Sequence, residues 1–117
     1  MAETPTLFAS NTTTISSVGT EQFLGTITAA GAYQLSIDFV NVAAGDVVEL
    51  RVWRVELAAG TARVLYVARW SGAQPTDDLI KDSQVIANDL ASSGAIKFGI
   101  NQTFGTARAF PWKIMQL

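Results

Sequence analysis

Most of the chain alternates apolar and polar residues with a period of two, the pattern of half-buried β-strands. The clearest run spans residues 33–39, whose odd positions are large and apolar and whose even positions are polar. Turn signals such as Ala43-Ala44-Gly45-Asp46 separate these runs at intervals of about 8 to 12 residues. The pattern predicts an all-β, single-domain antiparallel β-sandwich of about eight strands over residues 1–117, jelly-roll-like in its connections. An immunoglobulin-like sandwich is the alternative.

The secondary structure of two segments does not follow from the alternation. In residues 76–90, Thr76 followed by acidic residues suits a helix N-cap. The same segment also suits a strand over residues 79–87, and the β-branched pair Val85-Ile86 favours the strand. Residues 1–14 contain no long apolar run, and we expect them to form an extended N-terminal arm.

The centre of the chain predicts a hairpin whose register can be worked out. A three-residue connection at Ala58-Ala59-Gly60, with Gly60 in the left-handed conformation, makes paired residue numbers sum to 118. One face then carries apolar residues of both strands and is predicted to be core. These residues are Val48, Leu50 and Val52, opposite Trp70, Ala68 and Tyr66.

The other face of this hairpin mixes apolar and basic residues. Glu49 falls opposite Arg69, and this pairing of opposite charges favours the register. Trp and Arg are the residues most enriched at protein–protein hot spots. Three interpretations of this face are open: another part of the chain covers it, it is a contact surface for a protein partner, or it is a sugar or nucleotide site. The predicted contact residues are Arg51 opposite Val67, Trp53 opposite Leu65, Arg63 opposite Val55, and Arg69.

A second candidate contact lies near the C-terminus at Phe110-Pro111-Trp112. Proline has no backbone N–H and is confined to strand starts and edges, so the last strand is predicted to be an edge strand, at least at its beginning. The two aromatic residues either close the end of the sandwich or serve as interface anchors.

The composition excludes several kinds of chemistry. With neither cysteine nor histidine, the chain lacks the common zinc ligands, thiol nucleophiles and Ser–His or Cys–His pairs. We therefore expect no catalytic residues, metal or cofactor. A total of 8 basic against 10 acidic residues argues against nucleic-acid binding. No apolar run reaches the roughly 18 residues of a membrane span, and no secretory signal is apparent, so we expect synthesis in the cytoplasm without membrane insertion.

The C-terminal part of the chain resembles a known group of proteins. Residues 101–113, Asn101-Gln102-Thr103-Phe104-Gly105-Thr106-Ala107-Arg108-Ala109-Phe110-Pro111-Trp112-Lys113, resemble a pattern near the C-terminus of small proteins encoded among tailed-phage structural genes. Residues 44–52 and 71–75 are similar too, so the resemblance covers about residues 30–117. Several tailed phages carry small jelly-roll cement, or decoration, proteins on their heads. The resemblance implies a virion component and identifies no functional residue.

The predicted function is therefore structural rather than enzymatic. We expect a phage capsid cement or decoration protein, located on the capsid surface of the virion, that stabilises the head shell by binding the major capsid protein. Because only 15% of the residues are charged and both hairpin faces carry apolar residues, we also expect binding to copies of itself, as a dimer or trimer. The alternative is a carbohydrate- or receptor-binding module of a tail or fibre protein, with Trp53, Trp70 or Trp112 stacking on a sugar ring.

Overall fold

The computed structural model describes residues 5–25, 27–91 and 95–117. Its regular elements are all β-strands, and no described residue is helical, which confirms the predicted fold class. There are nine strands rather than about eight. They are β1 (Thr6–Thr14), β2 (Gln22–Leu24), β3 (Gly31–Asp38), β4 (Val47–Arg54), β5 (Arg63–Ser71), β6 (Ile80–Asp82), β7 (Ile86–Asn88), β8 (Ile96–Phe104) and β9 (Ala109–Gln116).

The strands form two antiparallel sheets packed as a sandwich. The first sheet has the order β1-β9-β3-β6, with β7 also paired to β3, and the second has the order β2-β8-β4-β5. If β6 and β7 are taken as one interrupted strand, eight strands remain, and successive strands alternate between the sheets except at β4-β5. This order is that of a jelly roll, as the turn spacing predicted.

The segment 76–90 contains two short strands and no helix, so the strand interpretation is confirmed, with an interruption. β6 pairs with residues 36–38 of β3 and β7 pairs with residues 31–33 of the same strand. Between them, the buried Ser83 bridges the gap. Its backbone N–H donates to Leu35 O at 2.8 Å, and its hydroxyl accepts from Leu35 N at 3.0 Å. The backbone groups that the interruption leaves without a strand partner are thereby satisfied.

The core lies between the sheets and follows the period-two pattern. The odd residues of the run 33–39 are all buried, as are the even residues 48, 50 and 52 of β4. β8 and β9 contribute the further buried residues Phe98, Ile100 and Ile114. On β5, the predicted core residue Trp70 is half-buried and packs edge-on against Phe39, with ring centroids 5.1 Å apart.

The predicted hairpin register is correct as far as Val52, which pairs with Tyr66. Beyond this point the register shifts, because Leu65 forms a bulge and Trp53 pairs with Val64 instead. The predicted three-residue connection is wrong: the strands end at Arg54 and resume at Arg63, so the loop is longer. The residue with positive φ is Ala59, at 63°, and not Gly60.

The C-terminal strand β9 is an edge strand at its beginning, as Pro111 predicted, because residues 109–111 pair with β1 alone among the described strands, whereas residues 112–116 lie inside the sheet. β9 pairs with β1 on one side and with β3 on the other. The ladder with β3 stops at the pair Ile37–Trp112, one residue before the proline. Leu117 N donates to Ala32 O, so the odd residues of β9 are the ones that bond to β3. The backbone nitrogen of Pro111 faces the side of β3 but lies beyond the end of this ladder. Its lack of an N–H therefore breaks no strand pairing.

The N-terminal segment is extended and belongs to the first sheet. Residues 6–14 of the predicted arm form β1, which pairs with β9 along its whole length, with a bulge at Phe8. Residues 1–4 lie outside the described residues. The polar sequence of β1 fits its position at the edge of the sheet, where one side of the strand has no neighbour among the described strands.

Candidate interaction surface

The outward-facing side of the second sheet carries most of the predicted contact residues, and we call it the outer face of the second sheet. Opposed residues of neighbouring strands share a face. Phe23 on β2 is opposite Gly99 on β8, Gly99 is opposite Arg51 on β4, and Arg51 is opposite Val67 on β5. One row of residues therefore crosses the whole sheet. It consists of the ring of Phe23, Gly99 with no side chain, the guanidinium of Arg51, and Val67.

A buried carboxylate holds two arginines on this face. Glu49 is 2% exposed, and its side chain accepts hydrogen bonds from Arg69 Nη2 and Arg51 Nε. The hydrogen bond from Arg69 holds the pKa of Glu49 below its ordinary value, burial opposes this, and the bond from Arg51 adds to the lowering. The three groups together carry one net positive charge, so the face is basic at neutral pH.

Trp53 is fixed on this face by a second carboxylate. Its indole Nε1–H donates to Glu21 Oε2 at 3.0 Å. The carboxylate lies over Gly99, where an added Cβ would stand 1.9 Å from the same oxygen. A glycine on β8 thus makes room for Glu21, and Glu21 in turn orients the half-buried Trp53. The result is a rigid aromatic side chain with its one donor satisfied.

Apolar side chains are exposed around this charged centre. Phe23 is 52% exposed and Val67 is 50% exposed, and the bulge exposes both Val64 and Leu65. The Lys97 ammonium lies 5.4 Å from the ring centroid of Phe23. Aromatic and aliphatic groups interleaved with cations have the character of a protein-binding surface more than of an ordinary solvated sheet face.

The structure changes the membership of the predicted surface. Arg51, Trp53, Val67 and Arg69 lie on it as predicted. Arg63 does not, because it is opposite Arg54, whose side chain reaches across to Ala87 O of the first sheet.

Val64 takes the place predicted for Leu65, which forms the bulge. Sequence reasoning missed Phe23 and Glu21, since only the pairing of β2 with β8 brings them beside the central hairpin. The sequence offered a weak signal, since residues 21–24 alternate, but alternation does not assign a neighbouring strand.

The residues Phe110, Pro111 and Trp112 lie away from this surface. Phe110 is fully buried and packs against Phe39, so it is core and not an interface anchor. Trp112 is half-buried, and its Nε1–H donates to Thr13 Oγ1 at 2.8 Å. Pro111 and Trp112 line a shallow groove of about 260 Å³ on the first sheet.

The three tryptophans occupy separate places, so they form no shared platform for a sugar ring. Trp53 lies on the outer face of the second sheet, and Trp70 packs towards the core. Trp112 belongs to the first sheet. The arrangement that would favour carbohydrate binding, several exposed aromatic rings in one plane, is not formed by these residues.

A second polar cluster closes one end of the sandwich and was not predicted. Asp46 is 1% exposed and accepts hydrogen bonds from Arg108 Nε at 2.8 Å, from Ala43 N at 2.9 Å and from Thr106 N at 3.2 Å. Burial raises the pKa of Asp46, but the bonds from Arg108, Ala43 and Thr106 outweigh it and hold the pKa below its ordinary value. We call this group of residues the Asp46 cluster.

Gln102 completes the same end of the molecule. Its side chain is fully buried, donates to Phe104 O and Thr106 O, and accepts from Arg108 N at 3.1 Å. The residues of the 101–113 pattern therefore fix the turn between β8 and β9. The polar side-chain groups of Gln102 and Asp46 are satisfied within the chain, so these residues form a structural lock rather than a site of chemistry. Asn101 differs, because its Oδ1 is buried without a hydrogen-bond partner among the described residues.

Metal-binding and membrane-spanning features were searched over the described residues. Residues 5–25, 27–91 and 95–117 contain no group of three or more acidic side chains placed to hold a metal ion. In the same part of the chain, no helix is long and apolar enough to cross a bilayer. Comparison with protein-family models, with curated proteins and with solved structures gave no match.

Proposed function

We propose that the protein is a non-enzymatic structural component of a tailed-phage virion, a capsid cement or decoration protein that binds the major capsid protein and stabilises the head shell. It would be made in the host cytoplasm and reside on the capsid surface. Copies of the chain would also bind one another, as a dimer or trimer. Neither nucleic acid nor membrane takes part.

The observation that carries the proposal is the outer face of the second sheet. It places an oriented indole, Trp53, between exposed apolar groups and the two arginines held by Glu49. Isolated exposed apolar residues are ordinary, but a continuous mixed patch of this kind marks a contact surface. A shell-binding protein needs such a surface and needs no reacting groups.

The resemblance of residues 101–113 to small tailed-phage proteins gives the proposal its biological setting. The described residues of this pattern have structural tasks, as the buried Gln102 and its bonds to the β8–β9 turn illustrate. Proteins that share this pattern would share the fold that it maintains, and they would bind their partners through other residues on their surfaces. Fold alone does not select a function, so the surface and the resemblance are both needed.

Quantitative protein analysis of virions tests the proposal directly. Purified particles of the phage that encodes this chain should contain it in a number close to that of the major capsid protein. A few copies per particle would instead support the tail or fibre alternative. Absence from the particle would contradict a virion role altogether.

A matched pair of variants tests the surface. Phe23→Ser alters the outer face of the second sheet, and Ile80→Ser alters the outer side of the first sheet at nearly equal exposure, 52% and 55%. Binding to heads assembled without the chain is measured by co-sedimentation. If Phe23 is a hot spot, its substitution should weaken binding by about tenfold or more. Ile80→Ser should bind as the unaltered chain does, and the reverse result would move the contact to the first sheet.

A further inference from the structure

The open edge of β5 differs from the other sheet edges of this fold. The edge strands β2, β6 and β7 have three residues each, and β1 is rich in Thr, Ser and Asn. β5 is nine residues long and pairs with β4 alone among the described strands. It contains neither proline nor lysine, and its protective features are the bulge at Leu65 and the charged residues Arg63 and Arg69. Beyond the bulge the segment 66–71 is regular and largely apolar, so it is less protected than the edges of natural sheets usually are.

The hydrogen bonds beyond the end of β5 show which backbone groups face this edge. Gly72 N donates to Asp46 O at 2.8 Å, one residue beyond the last pair of the β4–β5 ladder. In an antiparallel ladder, hydrogen-bonded pairs alternate with pairs that are not bonded to each other. The even-numbered residues of β5 beyond the bulge therefore bond to β4, and the odd-numbered ones point the other way.

The opposite side of β4 gives the same assignment. Val55 N donates to Ala95 O at 3.0 Å, which makes the odd-numbered residues of β4 the partners of β8 and leaves the even-numbered ones for β5. The backbone N–H and C=O groups of Val67, Arg69 and Ser71 are consequently directed at the open edge. The donors and acceptors of Val67 and Arg69 alternate there in the spacing that another antiparallel strand requires, whereas Ser71 O already accepts from Gln74 Nε2 at 3.4 Å.

We infer that β5 pairs with β5 of a second copy of this chain, across a two-fold axis, to form a continuous eight-stranded sheet from two four-stranded ones. A two-fold axis perpendicular to the sheet runs the two strands antiparallel and keeps opposed residues on the same face. The donors and acceptors of this edge are thus complementary to those of the same edge in a second copy. A strand of another protein would need its own matching length, register and side chains.

The charges on β5 select the register. A register centred on Ala68 places Val67 opposite the partner's Arg69 and Tyr66 opposite the partner's Trp70. The two arginines are then offset from each other, and each keeps its own bond to Glu49. A register centred on Arg69 would set like charges directly opposite, which is destabilising. In the favoured register the half-buried ring of Tyr66 in each copy also covers the half-buried ring of Trp70 in the other copy.

The oligomeric state of the full chain in solution tests the inference without any phage particle. Sedimentation velocity and light scattering should show a concentration-dependent species of twice the single-chain mass of 12.5 kDa. A chain that remains monomeric up to about 1 mM would overturn the inference, since association weaker than that is negligible. Shell binding is measured separately, so failure of the dimer and failure of the virion proposal are distinguishable.

A proline substitution isolates the backbone pairing. Val67→Pro removes an N–H that faces the open edge and none that bonds to β4, so the fold should be kept. The dimer loses this donor twice, once from each copy, and its dissociation constant should rise by about tenfold or more. Ala68→Pro is the control, because it removes a donor to β4 and should lower the thermal midpoint of the monomer. Unchanged dimerisation of a folded Val67→Pro chain would overturn the inference.

Charge substitutions at the same position test the register and remain informative if the proline variant does not fold. Val67→Lys puts a cation opposite the partner's Arg69 and should abolish the dimer. Val67→Glu puts an anion there and should preserve or tighten it. Equal loss with Lys and Glu would overturn this register, because it would mean that residue 67 faces itself or an apolar neighbour.

Discussion

Two glycines with nearly the same backbone conformation should respond very differently to alanine. Gly105 and Gly45 have φ values of +95° and +89°. A Cβ added at Gly45 would meet nothing within 4 Å, whereas one at Gly105 would lie 2.0 Å from Asp46 Oδ1 and 2.8 Å from Asp46 Cα. Both substitutions incur the steric cost of a left-handed conformation, about 1–2 kcal/mol. Only Gly105→Ala also displaces the buried Asp46 carboxylate.

The displacement sets the size of the expected difference. Asp46 Oδ1 accepts from Thr106 N, and Oδ2 accepts from Arg108 Nε. A hydrogen bond to a charged group contributes roughly 1.5–3 kcal/mol, and at least one should be lost. We therefore expect Gly105→Ala to lower the free energy of unfolding by about 2.5–5 kcal/mol, against about 1–2 kcal/mol for Gly45→Ala. At about 4 °C per kcal/mol for a domain of this size, the thermal midpoints should fall by roughly 10–20 °C and 4–8 °C.

Thermal unfolding followed by circular dichroism measures both values. Repeating Gly105→Ala in an Asp46→Ala background is the control, because without the carboxylate only the backbone cost should remain and the additional loss should shrink. Equal destabilisation by the two glycine substitutions in the unaltered chain would refute the reasoning. It would mean that the β8–β9 turn moves aside and that Asp46 does not lock it.

Two further predictions concern the pH dependence of stability and the contact between Glu21 and Trp53. The folded-state pKa values of Asp46 and Glu49 are below their ordinary values, so their stabilisation is present above the unfolded pKa and lost as the pH falls through the folded one. The thermal midpoint should hold from neutral pH to about pH 5 and drop below about pH 4, and Glu49→Gln should flatten that drop. Gly99→Ala should expel Glu21 from above β8, which exposes Trp53 to water. The tryptophan emission should then shift to longer wavelength, and a Trp53→Phe chain should lack this response.

The sequence alone determined the fold class and most of the core. Strict alternation fixes which side chains face inwards once a segment is a strand, because successive Cβ atoms point to opposite faces. The buried odd positions of residues 33–39 followed from this local rule. The register of Glu49 with Arg69 did not follow from alternation: it was derived from a three-residue connection that the structure lacks and was favoured by the pairing of opposite charges.

Only the tertiary structure decided which strands are neighbours and where registers break. The bulge at Leu65 moves Arg63 off the predicted face, although no residue in this part of the sequence is typical of a bulge. Pro111 correctly predicted an edge at the beginning of β9, but only the pairing of residues 112–116 with β3 shows that the rest of this strand lies inside the sheet. Phe23 joins the candidate surface only through the pairing of β2 with β8. These features depend on contacts between residues far apart in the chain, and local periodicity carries no information about such contacts.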